Sequence, residues 1–519
     1  MLADARPTAR TEARALNARL LALVAAWTLL ACACAALLLL GQPLLAAALA
    51  VAVPGALLLL RRPELGFYTV VAGALLFDHH KLPALNLPSG RVPFWDPVGG
   101  VPPAAALMIA TLGVVVLRRL HEDRRPLLRL GPFFLPCLIF FGVIIYGVGR
   151  GITFHDLAIV VPFQARMALI EFGSLVYLPF MYLLAVNLIE ARTDLRRLVW
   201  VIVGALGLKA LQSLWVVARL RAGVFDLNEI TPHEDALFLN ALALLAAGLW
   251  LYRGPRGLRL AGALLLPAIL ITLVANQRRT GFITLAVGVI VCALMLLSDP
   301  RQRRRVLLLG AAGAILATGY TAAFWNSENV LGKPVYAFRS VIAPARARDA
   351  ESNSWRSMEK VNIERTIERA PLGGIGFGRQ YRFWIEEPTL DTTGFTYWRY
   401  VSHNVIYWVW MKLGAFGFAV FWFVIGSAIV QAALVFRQAR DGEARAFALM
   451  VAGFVAMQVV FSYADLGLAS GRNMTFLGAL LGGLALLLAE QRSGERPGKR
   501  AEGRTEERAG AQMEEGAAA

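Results

Sequence analysis

Two arginines in NQRRTG, one in SWRSMEK and a histidine in YVSHNVIYWVWMKLG are the residues of this sequence best suited to group transfer on an anionic substrate. Arg278 and Arg279 follow one apolar run and precede the next. A guanidinium keeps its charge at any physiological pH and grips phosphate oxygens with two parallel donors, so such a pair at a membrane surface suits a lipid-linked diphosphate. The plainer reading is a pair of arginines anchoring helix ends. His403 and Asn404 stand between two aromatic groups, Tyr397, Trp398 and Tyr400 before them and Tyr407, Trp408 and Trp410 after. A headgroup-level belt accounts for the aromatics but not for the histidine. An imidazole can take a proton from a hydroxyl nucleophile, and a neighbouring amide can orient the ring or the substrate.

Other polar groupings carry less. In GGIGFG, residues 373 to 378, no strand precedes and no βαβ helix follows, so the glycines read as a tight turn and not as a nucleotide loop. Asp78-His79-His80 and His233-Glu234-Asp235 are runs of adjacent residues that point in different directions, so neither has ligand spacing and no metal is expected. His233, Glu234 and Asp235 are instead candidates to line the same cavity as the arginines. Cys32, Cys34, Cys137 and Cys292 all fall within apolar runs without C-x-x-C spacing, which predicts neither a disulfide framework nor a thiolate metal site.

The elements that must position these residues are membrane helices. The chain is 57% hydrophobic and only 17% charged over 519 residues, and its apolar residues come in long runs. A hydrocarbon core about 30 Å thick takes roughly 20 apolar residues to cross, and about fourteen runs qualify. The fold class is therefore an all-α polytopic membrane protein with about fourteen transmembrane helices. The boundaries are an N-terminal arm at 1–19, eleven spans in 20–325, one large loop at 326–402, three spans in 403–490 and a basic, disordered tail at 491–519. Within the loop, Trp355, Met358, Val361 or Asn362, and Ile367 recur at helical spacing up to Pro371, which predicts a short amphipathic helix beginning near Arg356.

A net charge of +17 would suggest nucleic acid in a soluble protein, but here its placement explains it and no nucleic-acid partner is expected. Basic clusters such as Arg118-Arg119, Arg192-Arg196-Arg197, Arg253-Arg256-Arg259 and Arg301-Arg303-Arg304-Arg305 occupy alternate connections. The positive-inside bias makes those connections and both termini cytoplasmic. The large loop, His403 and the arginine pair then share the opposite side, which is the periplasm for a bacterial inner membrane.

The order of QRRTG, SWRSMEK with APLGGIGFG, and SHNVIYWVWMKLGAFG resembles the bacterial O-antigen ligase and O-antigen polymerase superfamily, over roughly residues 230 to 465. The resemblance implies a GT-C-like bundle with an outward cavity and no cofactor, neither nucleotide sugar nor essential metal. It implies His403 as the base, with Arg278 or Arg279 and the loop arginine Arg356 near the diphosphate. The implied partners are an undecaprenyl-diphosphate-linked glycan donor, a glycan or lipid A-core acceptor, and membrane lipid. The family shows one arginine where this chain has two, and about fourteen spans rather than the dozen or so of a ligase favour a polymerase. A transporter or flippase of lipid-linked glycans is the rival reading. It would show inverted repeats and charged or broken helices at mid-membrane, where Lys209 is the main deep charge.

Overall fold

The computed structural model describes residues 27–77, 94–95, 101–121, 126–154, 163–221, 230–276, 278–327, 330–343, 347–387 and 399–492. The arm 1–19, the tail from residue 493, Asp78-His79-His80 and Tyr397-Trp398 lie outside them. The chain divides into two compact units, Met1–Gly66 and Phe67–Ala519. In the first unit, α1 (Trp27–Leu39) turns through Gly41 into α2 (Pro43–Arg61), and α3 (Pro63–Leu76) begins. Pro43 and Pro63 open their helices, where a missing amide hydrogen costs nothing.

The second unit carries the remaining helices: α4 (Pro103–Leu120), α5 (Phe134–Thr153), α6 (Ala165–Leu188), α7 (Arg192–Arg221), α8 (Asp235–Leu251), α9 (Arg256–Ala275), α10 (Arg279–Leu297), α11 (Pro300–Phe324), α12 (Lys333–Ile342), α13 (Ala347–Arg369), α14 (Val405–Gln438) and α15 (Gly442–Ser462). The last is α16 (Gly471–Arg492). No strand forms among the described residues. Among the described residues ten helices are long and apolar enough to cross a membrane, and the chain is a multi-pass membrane protein. Each of the fourteen expected runs meets a helix, but α3, α8 and the described parts of α1 and α2 fall short of spanning length. Hydropathy finds such runs without requiring each helix to reach spanning length: α8 is only the 17 residues Asp235–Leu251, and its first carboxylate is engaged in an ion pair.

The inner helices are α15 and α16, with 78% and 83% of their apolar windows buried, while none of α11 is. Apolar burial does not draw helices together in lipid as it does in water, so polar contacts and close fit decide the packing. Two buried ion clusters supply the polar contacts. In one, Arg472 of α16 meets Asp235 at 2.6 Å and Glu234 at 3.4 Å, while Lys209 of α7 meets Asp235 at 2.9 Å. Lys209 also donates to the Leu76 carbonyl and Arg472 to that of Ala74, so four remote parts of the chain share one charge centre.

The second cluster holds the glycine-rich segment. After α13 ends, Pro371–Arg379 runs as irregular backbone against α5, α6 and α14. Its amides are satisfied there: Ile375 N–H donates to the Met411 carbonyl, Gly376 N–H to that of Lys412 and Phe377 N–H to that of Gly147. The acceptors on α14 exist because that helix breaks at Gly414, at φ 69° and ψ −175°. Ala415 N–H then turns to the Pro371 carbonyl. At Gly376 φ is +78°, and a Cβ would lie 2.0 Å from the Gly151 nitrogen, so no other residue fits. The tight turn expected of GGIGFG is present, and it is packed into the bundle. Lys412, wholly buried, lies 2.6 Å from Glu171 of α6 and donates to the Arg379 carbonyl, while Glu171 accepts from Gly378 N–H.

Breaking one side of a buried pair leaves an uncompensated charge, at about 3 to 5 kcal/mol. Lys412→Met therefore lowers the melting temperature of the solubilised protein strongly, and adding Glu171→Gln restores a large part of it, as read by tryptophan-fluorescence melting. A double variant as unstable as the single one would show that the charges themselves are not what holds the segment.

Candidate functional site

The cavity-facing end of the second unit is where α10 and α14 begin and α15 ends. A cavity of about 560 Å³ opens there, its walls supplied by these ends together with α12 and α13. Arg278, Arg279, Arg356, His403 and Asn404, separated by up to 126 positions in the chain, all line it. Five basic side chains face it against two carboxylates, Glu359 and Asp465. The helix starts add to this positive field: residues Arg278–Thr280 and His403–Asn404 are the N-terminal ends of α10 and α14, whose unsatisfied amides favour an anion.

Each arginine has its own mounting. Arg279 is the first residue of α10 and donates to Asn353 Oδ1 at 3.2 Å and to the Ser340 carbonyl at 3.3 Å, tying α10 to α13 and α12. Arg278 caps the same helix in an extended conformation, which turns it from the direction of its neighbour. Arg356 rides on α13 and donates to Ser352 Oγ at 2.8 Å, one turn back. Burial pushes its pKa down, and Arg279 and Arg278 push the same way, against Asp465 and Glu359. A guanidinium holds its proton through such shifts, so the cluster stores repulsion that an anion would relieve.

His403 is positioned by α13 and by its own helix start. Asn404 caps α14 by accepting from Tyr407 N–H at 3.1 Å, and Ser402 Oγ accepts from Asn404 N–H at 2.9 Å. Glu359 Oε1 accepts from the backbone N–H of His403 at 3.3 Å and lies 3.5 Å from its Nδ1. The indole of Trp355 stands edge-on to the imidazole, ring centroids 4.5 Å apart. A carboxylate only 1% exposed thus lies beside Nδ1, with an aromatic wall on one side of the ring. The arrangement can abstract a proton through Nε2 next to a concentration of positive charge.

His233, Glu234 and Asp235 do not line the cavity, and the expectation that they would is corrected here. Glu234 and Asp235 turn to Arg472 in the ion cluster behind the wall. His233 reaches the site indirectly, its Nδ1 2.6 Å from Asp465 Oδ2. Burial would raise the Asp465 pKa, but the adjacent His233 and the more distant His403 hold it below the usual carboxylate range.

Glu359 and Asp465 escaped the sequence reading. Glu359 looked like one of several surface charges on an amphipathic helix. The inward stripe of α13 is in fact mixed, with Glu359, Asn362 and Thr366 as deeply buried as Ile363 and Ile367, so a hydrophobic period misreads it. The usable signal was its spacing of three from Arg356 on a helical face. Asp465 was a lone acid in a short connection, and nothing local marked it.

Residues 263–422 match the family model described as O-antigen ligase. No curated protein matches the chain. The matched interval runs from α9 into α14 and contains the three arginines, Glu359 and His403 but not Asp465.

Glu387 lies just beyond the site, where burial lifts its pKa to about 7, helped by Glu359 and opposed by hydrogen bonds from Asn362 and Tyr381 and by the charge of His403. A folded-state pKa above the unfolded value means stability that is full below the unfolded pKa and is lost as pH rises through the folded one. Stability thus falls by on the order of 3 kcal/mol between about pH 4.5 and 7.5 through this group. Glu387→Gln removes that component, and melting curves across this pH range give the comparison; an unchanged slope would deny Glu387 this part.

Proposed function

Because the chain carries a domain of the O-antigen ligase/polymerase superfamily, we propose that it transfers a glycan from an undecaprenyl-diphosphate carrier to a sugar hydroxyl. The observation that carries this reading is the meeting of Arg278, Arg279 and Arg356 with the His403–Glu359 pair in one cavity. The diphosphate of the donor sits among the arginines and the two helix starts. The acceptor hydroxyl approaches the anomeric carbon on the side away from the diphosphate. Its oxygen bonds to that carbon while the bond from the carbon to the phosphate oxygen breaks, inverting the configuration. The electron pair leaves with undecaprenyl diphosphate, whose growing charge the arginines stabilise. The hydroxyl proton passes to Nε2 of His403, and Glu359 at Nδ1 steadies the imidazolium that results.

The basic connections favour a bacterial inner-membrane location with the cavity toward the periplasm, since Arg118-Arg119, Arg253 and Arg301 lie at helix ends opposite those that begin the cavity. In this reading the helices form a GT-C-like bundle and the 326–402 loop closes over the donor. Ten helices of spanning length among the described residues give no preference for a polymerase by span count, and the description of the matched model brings a ligase level with it. The acceptor is a second lipid-linked repeat unit in the first case and a lipid A-core sugar in the second. The deep charges that would speak for a transporter, Lys209 and Lys412, are neutralised by Asp235 and Glu171.

Purified protein in nanodiscs, given a native lipid-diphosphate oligosaccharide alone, lengthens the lipid-linked glycan if it polymerises. Product that forms only with a lipid A-core acceptor marks a ligase, and no product under either condition counts against enzymatic transfer. His403→Ala abolishes turnover. Glu359→Gln lowers kcat by roughly 10²-fold with little change in KM, as expected for removing a group that supports the base and not the donor. Wild-type rates in His403→Ala would remove the histidine from the mechanism.

A further inference from the structure

Farther along α13 a second group of cations gathers around one indole. Arg382 lies 4.7 Å from the ring centroid of Trp384, Arg369 5.7 Å and Arg365 5.9 Å. All three arginines are exposed, and Arg365 and Arg369 make no ion pair among the described residues. Glu364, one residue before Arg365, pairs with Lys360 at 3.5 Å. The ring quadrupole offsets part of the repulsion among three guanidinium groups, but three cations on one indole still favour a shared counter-anion.

The mounting is rigid. Asn362 is fully buried in α13 and accepts from Trp384 N–H at 2.7 Å and Ile385 N–H at 2.8 Å through Oδ1. Its amide donates to the Ile385 carbonyl at 2.8 Å and to Glu387 Oε1 at 2.7 Å. One side chain thus clamps the segment that carries Trp384 and Arg382 against the helix that carries Arg365 and Arg369. The indole Nε1 is itself buried without a hydrogen-bond partner among the described residues. At 1.5 Å per residue, Arg365 lies about 14 Å and Arg369 about 20 Å along α13 from Arg356. The separation is too great for one phosphate to touch both groups.

We propose that Arg365, Arg369 and Arg382 around Trp384 form a second anion site that binds a phosphate group carried by the acceptor. The site itself stands on this geometry; its assignment to the acceptor rests on the transferase reading. Three guanidinium forks suit the tetrahedral, multiply charged oxygens of a phosphate monoester. Placed along the same helix as Arg356 and Glu359, the site holds a phosphorylated sugar at a fixed reach from His403. It thereby selects acceptors by charge away from the reacting hydroxyl.

The test is calorimetric titration of the full-length protein, in phosphatidylcholine nanodiscs, with glucose 6-phosphate and with glucose as the uncharged control. Wild type binds the phosphosugar and not glucose. Arg365→Gln/Arg369→Gln weakens that binding at least about tenfold, while Arg278→Gln/Arg356→Gln in the cavity leaves this site in place. Trp384→Phe keeps the ring and the affinity, and Trp384→Ala loses it. If the double variant does not survive purification, Arg369→Gln alone makes the comparison. Binding unchanged in Arg365→Gln/Arg369→Gln, absent in wild type, or equal for glucose overturns the proposal. Suppression of phosphosugar binding by phosphatidylglycerol in the nanodisc gives the site to a lipid headgroup and overturns the acceptor assignment. Because no glycosyl transfer is measured, this result and the transfer assay fail independently.

Discussion

A chain that leaves helical geometry among membrane helices has to satisfy its amides from its own neighbours, and the Pro371–Arg379 segment does this against a helix broken to receive it. The Lys412–Glu171 pair sits where the two meet, taking the Arg379 carbonyl on one side and the Gly378 amide on the other. On this junction depends the course of α13, which ends just before it, and of the first turns of α14, which begin at Val405, two residues after His403. The imidazole and its carboxylate therefore come from two helices registered by one buried contact. Charge, normally costly in such surroundings, is here the means of fixing irregular backbone.

The same logic runs through the cavity. Arg279 serves two purposes, since its donors to Asn353 and Ser340 hold α12 and α13 against α10 while its charge adds to the cavity. Arg278 caps that helix from an extended conformation. Adjacent arginines that look redundant as a dipeptide thus separate into a brace and a group presented to the cavity. Asp465 balances them, and its tie to His233 connects the cavity wall to the connection that precedes α8.

The helical class and the shared side of Arg278, Arg279, Arg356 and His403 were legible in the sequence because hydropathy sets where helices run and charge asymmetry sets which ends share a side; their meeting in one cavity was what the family resemblance implied. Such reasoning brings remote residues to one face without knowing any contact. It did not reach Glu359 or the fate of His233, Glu234 and Asp235. Whether a polar residue at a helix end faces a cavity or a neighbouring helix depends on the rotation of that helix, which a polar residue on its own does not reveal.

The break at Gly414 has a mechanical meaning as well. It divides α14 into a short leading piece of about two and a half turns, from Val405 to Leu413, and a long remainder. A continuous helix would transmit any tilt of its tip down its whole length. With the hydrogen-bond ladder interrupted, the piece that follows His403 is held by the glycine segment and, through His403, by α13, while the remainder packs against the helices around it. The tip and the shaft of one helix thus take their positions from different neighbours.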